Sequence, residues 1–113
     1  MANSIIYTDE FGRDVKKFLK KFPSLEEELL AFEDNLIQNP FLGTPLGSGL
    51  YKVRLATKSK SKGKSGGFRV INYLITKEKG SIKVYVLKIY DKSEESNLRK
   101  EVLIKLLKSL DLE

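Results

Sequence analysis

The groups in this chain that can move a proton or hold an anion are lysine, arginine, tyrosine, aspartate, glutamate and the hydroxyls, because its 113 residues include neither histidine nor cysteine. That removes the usual zinc ligands, a thiolate nucleophile and a histidine acid–base pair. The remaining groups are patterned. Lys58, Lys60, Lys62 and Lys64 stand at every second residue of the run Lys-Ser-Lys-Ser-Lys-Gly-Lys-Ser-Gly-Gly, so an extended backbone there turns all four ammonium groups one way. Just upstream, Lys52 and Arg54 alternate with Tyr51, Val53 and Leu55 and share one face of an expected strand. Charge is partitioned to match. Residues 49–92 hold twelve basic residues against two acidic ones, whereas residues 1–48 hold five against eight and residues 93–113 four against five. A cationic middle of this kind suits a polyanion, whose condensed counterions are released when lysine and arginine neutralise phosphates. The serines and glycines of the lysine run read as a loop able to follow a phosphate chain without reading its sequence. The run lacks the spacing of a nucleotide-binding P-loop, and a lysine excess that serves only solvation would have the same composition.

The elements that must position these groups follow from periodicity. Ile5, Ile6 and Tyr7 form a short first strand. Thr8 is its exit and the N-cap of a helix, with Asp9 and Glu10 in the first turn, where the helix dipole favours anions. Phe11, Val15, Phe18, Leu19 and Phe22 recur at helical spacing, opposite a face carrying Lys16, Lys17, Lys20 and Lys21. Pro23 ends that helix. Ser24 with Glu27 forms a capping box for a second helix, whose face is Leu25, Leu29, Phe32 and Leu36 and which ends near Asn39-Pro40. The glycine- and proline-rich segment Phe41 to Gly49 is a loop. Three strands follow, at Leu50 to Thr57, Phe68 to Thr76 and Ile82 to Tyr90, the last two joined by a tight turn at Lys79-Gly80. From Ser93, with Glu94 and Glu95 in its first turn, a C-terminal helix shows Leu98, Val102, Leu106 and Leu110 at four-residue spacing with Leu103 and Leu107 beside them. Lys83 and Lys88 read as solvated strand positions.

The expected fold class is α+β: an N-terminal strand and helical hairpin packed on a small, mainly antiparallel twisted sheet, plus the C-terminal helix. The length supports one core and one domain over residues 1–113. No apolar run approaches the roughly 20 residues of a membrane span, and the start Met-Ala-Asn-Ser-Ile-Ile-Tyr has no secretory pattern, so the expectation is a cytoplasmic protein without membrane contact.

In this order of elements, Gly-Leu-Tyr-Lys-Val-Arg-Leu-Ala at 49–56, Gly-Gly-Phe-Arg-Val-Ile-Asn-Tyr at 66–73 and Val-Tyr-Val-Leu-Lys-Ile-Tyr-Asp-Lys-Ser-Glu at 84–94 together resemble the RelE/ParE toxin superfamily, particularly its RelE and HigB-like branches, over nearly the whole chain. The resemblance implies a RelE-like fold and the toxin of a type II toxin-antitoxin system: a ribosome-dependent mRNA endonuclease, or mRNA interferase, silenced by an acidic antitoxin in a hetero-oligomer. It implies mRNA in the 30S A site as substrate. Lys52 and Arg54 fall where such enzymes place two basic residues, Arg69 at the arginine of the next strand, and Lys92 at the end of the last strand, where a catalytic arginine or a histidine cluster sits. The family's later stacking tyrosine has no counterpart after Tyr90, so Tyr90 and Asp91 are the candidates for stacking and proton transfer.

Metal-independent RNA cleavage uses the substrate's 2′-hydroxyl as nucleophile and needs a base near it, cations at the non-bridging oxygens and an acid at the leaving 5′-oxygen. The expected roles are Lys52 as base, Arg54 and Arg69 as forked phosphate clamps, Lys92 as acid or further clamp and Tyr90 as a base-stacking platform, with Lys58, Lys60, Lys62 and Lys64 binding RNA. No metal or other cofactor is called for. Alternatives remain: a ParE-like, non-hydrolytic inhibitor of DNA gyrase, a non-catalytic nucleic-acid-binding member, or, for Arg69, a structural ion pair with Asp91 or a helix carboxylate.

Overall fold

The computed structural model describes residues 3–57, 67–76, 80–93 and 99–109. The expected lysine-rich loop, including Lys58, Lys60, Lys62 and Lys64, lies outside the described residues, as do Lys79, Glu94, Glu95, Leu98 and Leu110. Along the chain run β1 (Ser4–Tyr7), α1 (Asp9–Lys21), α2 (Leu25–Gln38), β2 (Thr44–Gly47), β3 (Leu50–Leu55), β4 (Phe68–Thr76), β5 (Ile82–Asp91) and α3 (Lys100–Ser109). The fold is α+β, with a five-stranded mixed sheet of order β1-β5-β4-β3-β2. Only β1, beside β5, is parallel to its neighbour.

β2 corrects the reading of residues 41–49 as loop. Thr44 and Pro45 pair with Lys52 and Tyr51, and Gly47 with Leu50. The intervening Ser48 and Gly49 both have positive φ, 56° and 83°, the geometry of a two-residue hairpin turn whose twist matches that of the flanking strands. Pro45 is tolerated because β2 is an edge strand, where one row of backbone groups goes unpaired.

Alternation along the strands divides the sheet into two faces. On the first, Val53 and Leu55, Phe68 and Val70, and Val84, Val86 and Ile89 meet Phe11 of α1 and Leu25, Phe32 and Leu36 of α2 in the larger core. Phe68 is fully buried, with its ring 4.7 Å from that of Phe18 and 5.5 Å from that of Phe22, so truncating it to alanine would cost about 3–5 kcal/mol. On the second face, Leu50, Ile71, Leu87 and Tyr90 pack with Leu103 of α3, supported by Leu106 and Leu107. Thus α3 presents Leu103, Leu106 and Leu107 to the sheet, and Val102, expected in its apolar face, is 39% exposed.

Thr8 joins three elements. Its hydroxyl accepts from Phe11 N at 3.1 Å as the N-cap of α1 and lies 3.1 and 3.2 Å from the carbonyl oxygens of Leu87 and Val86, to which it can donate. Those carbonyls mark a β-bulge. Ile71 pairs with Lys88 but Asn72 with Val86, leaving Leu87 as the extra residue on β5. Ser24 departs from its expected role: it makes no capping bond to the α2 backbone, and its hydroxyl donates instead to Glu28 Oε2 at 3.1 Å and lies 3.0 Å from Thr57 Oγ1. The expected reciprocal pairing with Glu27 is therefore replaced by side-chain contacts.

Candidate functional site: a four-cation cleft

The second face of the sheet is apolar only where α3 covers it. Beyond that cover the same alternation brings up cations. Lys52 and Arg54 continue the row begun by Leu50 on β3. Arg69 continues that of Ile71 on β4, and Lys92 follows Tyr90 just past the end of β5. These four residues, with Gly43 and Thr44, line a cleft of about 440 Å³.

Register explains the convergence. Arg54 and Arg69 are direct cross-strand partners, Lys52 pairs with Thr44 on its other side, and Arg69 pairs with Tyr90. Lys92 is held by its backbone N–H, which donates to Gly67 O at 3.2 Å. Arg69 is only 6% exposed, and its Nη1 donates to Phe68 O at 3.2 Å, fixing the guanidinium against its own strand. Arg54 is exposed and Lys52 half-buried. Gly43 forms the wall: at φ +101° a Cβ would stand 2.5 Å from Lys52 O and 2.8 Å from Val53 Cγ2, so only glycine lets the chain lie this close to β3. Two like-charged guanidinium groups directly opposite each other destabilise a strand pair. The arrangement becomes favourable once an anion lies between them, because phosphate oxygens accept forked, charge-assisted hydrogen bonds from arginine.

Of the six residues expected to carry chemistry, the structure brings four together and places two elsewhere. Tyr90 is 5% exposed within the second core, among Leu50, Ile71, Leu87 and Leu103, so it has no open ring face for a base to stack on. Its expected stacking role is corrected to a packing role beneath the cleft. Asp91 pairs with Phe68, whose ring enters the first core, and so lies across the sheet from Arg69; its Oδ1 accepts from Ser93 N at 3.0 Å, closing the turn after β5. It is not among the residues that line the cleft. Gly43 and Thr44 were not anticipated. Their signal was Thr44-Pro45-Leu46 placed before a two-residue turn, a strand too short for alternation to reveal.

Lys88, expected to be solvated, is instead an anchor. Pairing of β1 with β5 stops at Val86, and at the bulge Lys88 reaches past the end of β1 to α1. Its Nζ donates to Asp14 Oδ2 at 2.8 Å and to Glu10 Oε2 at 3.0 Å, and its side chain is 20% exposed. Burial lowers its proton affinity, but the hydrogen bonds and charges of Asp14 and Glu10 outweigh that and hold the ammonium above the usual lysine range.

Among the described residues no group of three or more histidine, cysteine, aspartate or glutamate side chains is placed to hold a metal ion, and no helix is long and apolar enough to cross a membrane. No protein-family model matches the sequence.

Proposed function

We propose that this chain is a RelE/ParE-like toxin of a type II toxin-antitoxin pair, acting in the cytoplasm as a metal-independent endoribonuclease on translated mRNA. The observation that carries the reading is the convergence of Lys52 and Arg54 of β3, Arg69 of β4 and Lys92, just past the end of β5, on one cleft of the sheet. A scissile phosphate seated there is gripped through its non-bridging oxygens by Arg54 and Arg69, which stabilise the charge that builds in the transition state. Lys52 takes the proton of the ribose 2′-hydroxyl as its oxygen bonds to phosphorus, and Lys92 supplies the proton to the 5′-oxygen as the P–O5′ bond breaks. Thr44, on the same wall, offers a hydroxyl to the sugar or phosphate. An acidic antitoxin segment that folds on this cationic cleft would silence it by occupying the phosphate positions.

A second reading is favoured by the burial of Tyr90 and the placement of Asp91 across the sheet: with neither at the cleft, the four cations suffice for binding without cleavage. Primer extension on mRNA from cells briefly expressing the wild-type chain, beside a folded Lys52→Gln, Arg54→Gln variant, separates the two. Cuts within translated frames that vanish in the variant support the nuclease. Growth arrest with intact mRNA turns the reading to a gyrase-type inhibitor, and neither cuts nor arrest turns it to a non-catalytic binder.

A further inference from the structure

The chain carries a second cationic surface that the cleft does not use. Arg13, Lys16, Lys17, Lys20 and Lys21 are all exposed on α1, opposite the apolar residues Phe11, Val15, Phe18, Leu19 and Phe22 that face the larger core. At 1.5 Å rise per residue these five cations span about 12 Å of helix. Two of the three acids on the same helix are already committed: Glu10 and Asp14 receive Lys88 from β5, and Glu10 also lies 3.6 Å from Arg13. Lys16, Lys17, Lys20 and Lys21 have no ion-pair partner among the described residues. Beside them runs a groove of about 320 Å³ lined by Glu10, Arg13, Asp14, Lys16, Lys17 and Lys20.

We propose that this face of α1 is a second, independent binding surface for a nucleic-acid backbone. Three observations select that partner. A basic amphipathic helix that lies on an anionic membrane needs its apolar face to enter the interface, and here that face is occupied by the core. A protein partner needs an apolar or aromatic centre to its interface, and the exposed residues of α1 are Asp9, Gly12, Arg13 and the four lysines, with none of that kind. A row of flexible point charges without aromatic or apolar neighbours is what sequence-independent phosphate contact requires. Because α1 packs on the first face of the sheet and the cleft opens on the second, a strand in the cleft cannot lie along α1 without wrapping round the domain. The two surfaces therefore hold separate stretches of nucleic acid: the cleft holds the strand acted on, and α1 docks the domain on a larger nucleic-acid body that presents it.

The probe is a 20-nucleotide 2′-O-methyl oligouridylate, which resists cleavage by 2′-hydroxyl attack, followed by fluorescence anisotropy from 50 to 200 mM NaCl. Three variants are compared with the wild type: Lys16→Gln, Lys17→Gln, Lys20→Gln, Lys21→Gln on α1; Lys52→Gln, Arg54→Gln in the cleft; and all six together. The α1 substitutions are at solvent-exposed positions of a good helix-forming type, and unchanged circular dichroism confirms that each variant is folded. The expected result is two oligonucleotides bound per wild-type chain at 50 mM NaCl, one in the α1 variant and one in the cleft variant, with a salt slope of about −3 for the α1 site that the cleft variant retains, and none in the six-residue variant. Wild-type stoichiometry in the α1 variant overturns the proposal. So does loss of binding to vesicles of three parts phosphatidylcholine to one part phosphatidylglycerol while RNA binding is unchanged, which makes the surface a membrane contact. If instead the cleft variant binds as the wild type while the α1 variant does not, the cleft reading fails and this one stands.

Discussion

Replacing Arg54 with glutamine should stabilise the protein while weakening its hold on RNA. Arg54 and Arg69 are register partners on neighbouring strands, with Lys52 on the same face and Lys92 across the cleft. Like charges directly opposite in a sheet cost about 0.2–1 kcal/mol. Arg54 is exposed, so solvent screens much of that, and about 0.5 kcal/mol is the expected gain from its removal. For a domain of this size that corresponds to a rise of about 2 °C in Tm. The electrostatic origin can be isolated. The Debye length falls from about 30 Å at 0.01 M salt to about 3 Å at 1 M, so the difference between variant and wild type should be present in 10 mM NaCl and vanish in 1 M. Paired thermal melts at the two salt concentrations, with anisotropy on the same preparations, provide the measurement. If Arg54→Gln melts below the wild type at low salt, the guanidinium is held by an internal carboxylate and the strained-cleft argument is wrong.

Three other perturbations test separate parts of the structure. Asn72 is fully buried and neither side-chain amide atom has a hydrogen-bond partner among the described residues, so Asn72→Leu should raise stability in urea titrations by about 1–3 kcal/mol; a loss would mean that a buried water holds the amide. Lys88, held above 10.5 by its carboxylates against the opposing effect of burial, and Tyr7, raised from 10.0 by burial and by Glu33, which accepts from its hydroxyl, both keep their protons longer folded than unfolded. Their stabilisation is complete below pH 10 and is lost as pH rises beyond it, so wild-type stability should fall from pH 10 upward, and the fall should be shallower in Lys88→Met and in Tyr7→Phe. Gly43→Ala should displace β2 from β3, with a loss of about 1–3 kcal/mol from a strained positive φ and a matching fall in RNA affinity, read by melting and anisotropy.

How far the sequence was legible depended on the length of each pattern. β4 begins and ends as expected, at Phe68 and Thr76, because seven of its nine residues are β-branched, aromatic or apolar and leave little choice. The alternation of Lys52 and Arg54 against Val53 and Leu55 was enough to place two cations of the cleft on one face. β2 was hidden, since four residues containing proline and glycine look like a turn until β3 supplies their hydrogen bonds. The misassigned Tyr90 and Lys88 share a physical cause. Period-two reasoning sees which face of a strand a residue occupies but not which helix covers that part of the face, nor where a bulge shifts the phase. Tyr90 shares the cations' face yet lies where α3 roofs it, and Lys88 sits at the bulge where β1 has ended and α1 begins.

That uneven roofing connects stability to function in this fold. A sheet with one face fully covered by α1 and α2 has enough apolar burial to fold, so its second face need not be apolar throughout. α3 covers one end of it, where Leu50, Ile71, Leu87 and Tyr90 form the smaller core, and the other end carries Lys52, Arg54, Arg69 and Lys92. Extending α3 over that end would require apolar residues at positions 52, 54 and 69, and would stabilise the sheet at the expense of the cleft that Lys52, Arg54, Arg69 and Lys92 line. Tyr90 then gains a role that its burial first appeared to deny it. As the register partner of Arg69 and a wall of the small core, it fixes the strand from which Lys92 follows, so it sets the spacing of the cations without touching what they bind. Loss of its ring should therefore loosen the cleft through packing, lowering stability and anion affinity together, whereas Arg54→Gln separates the two.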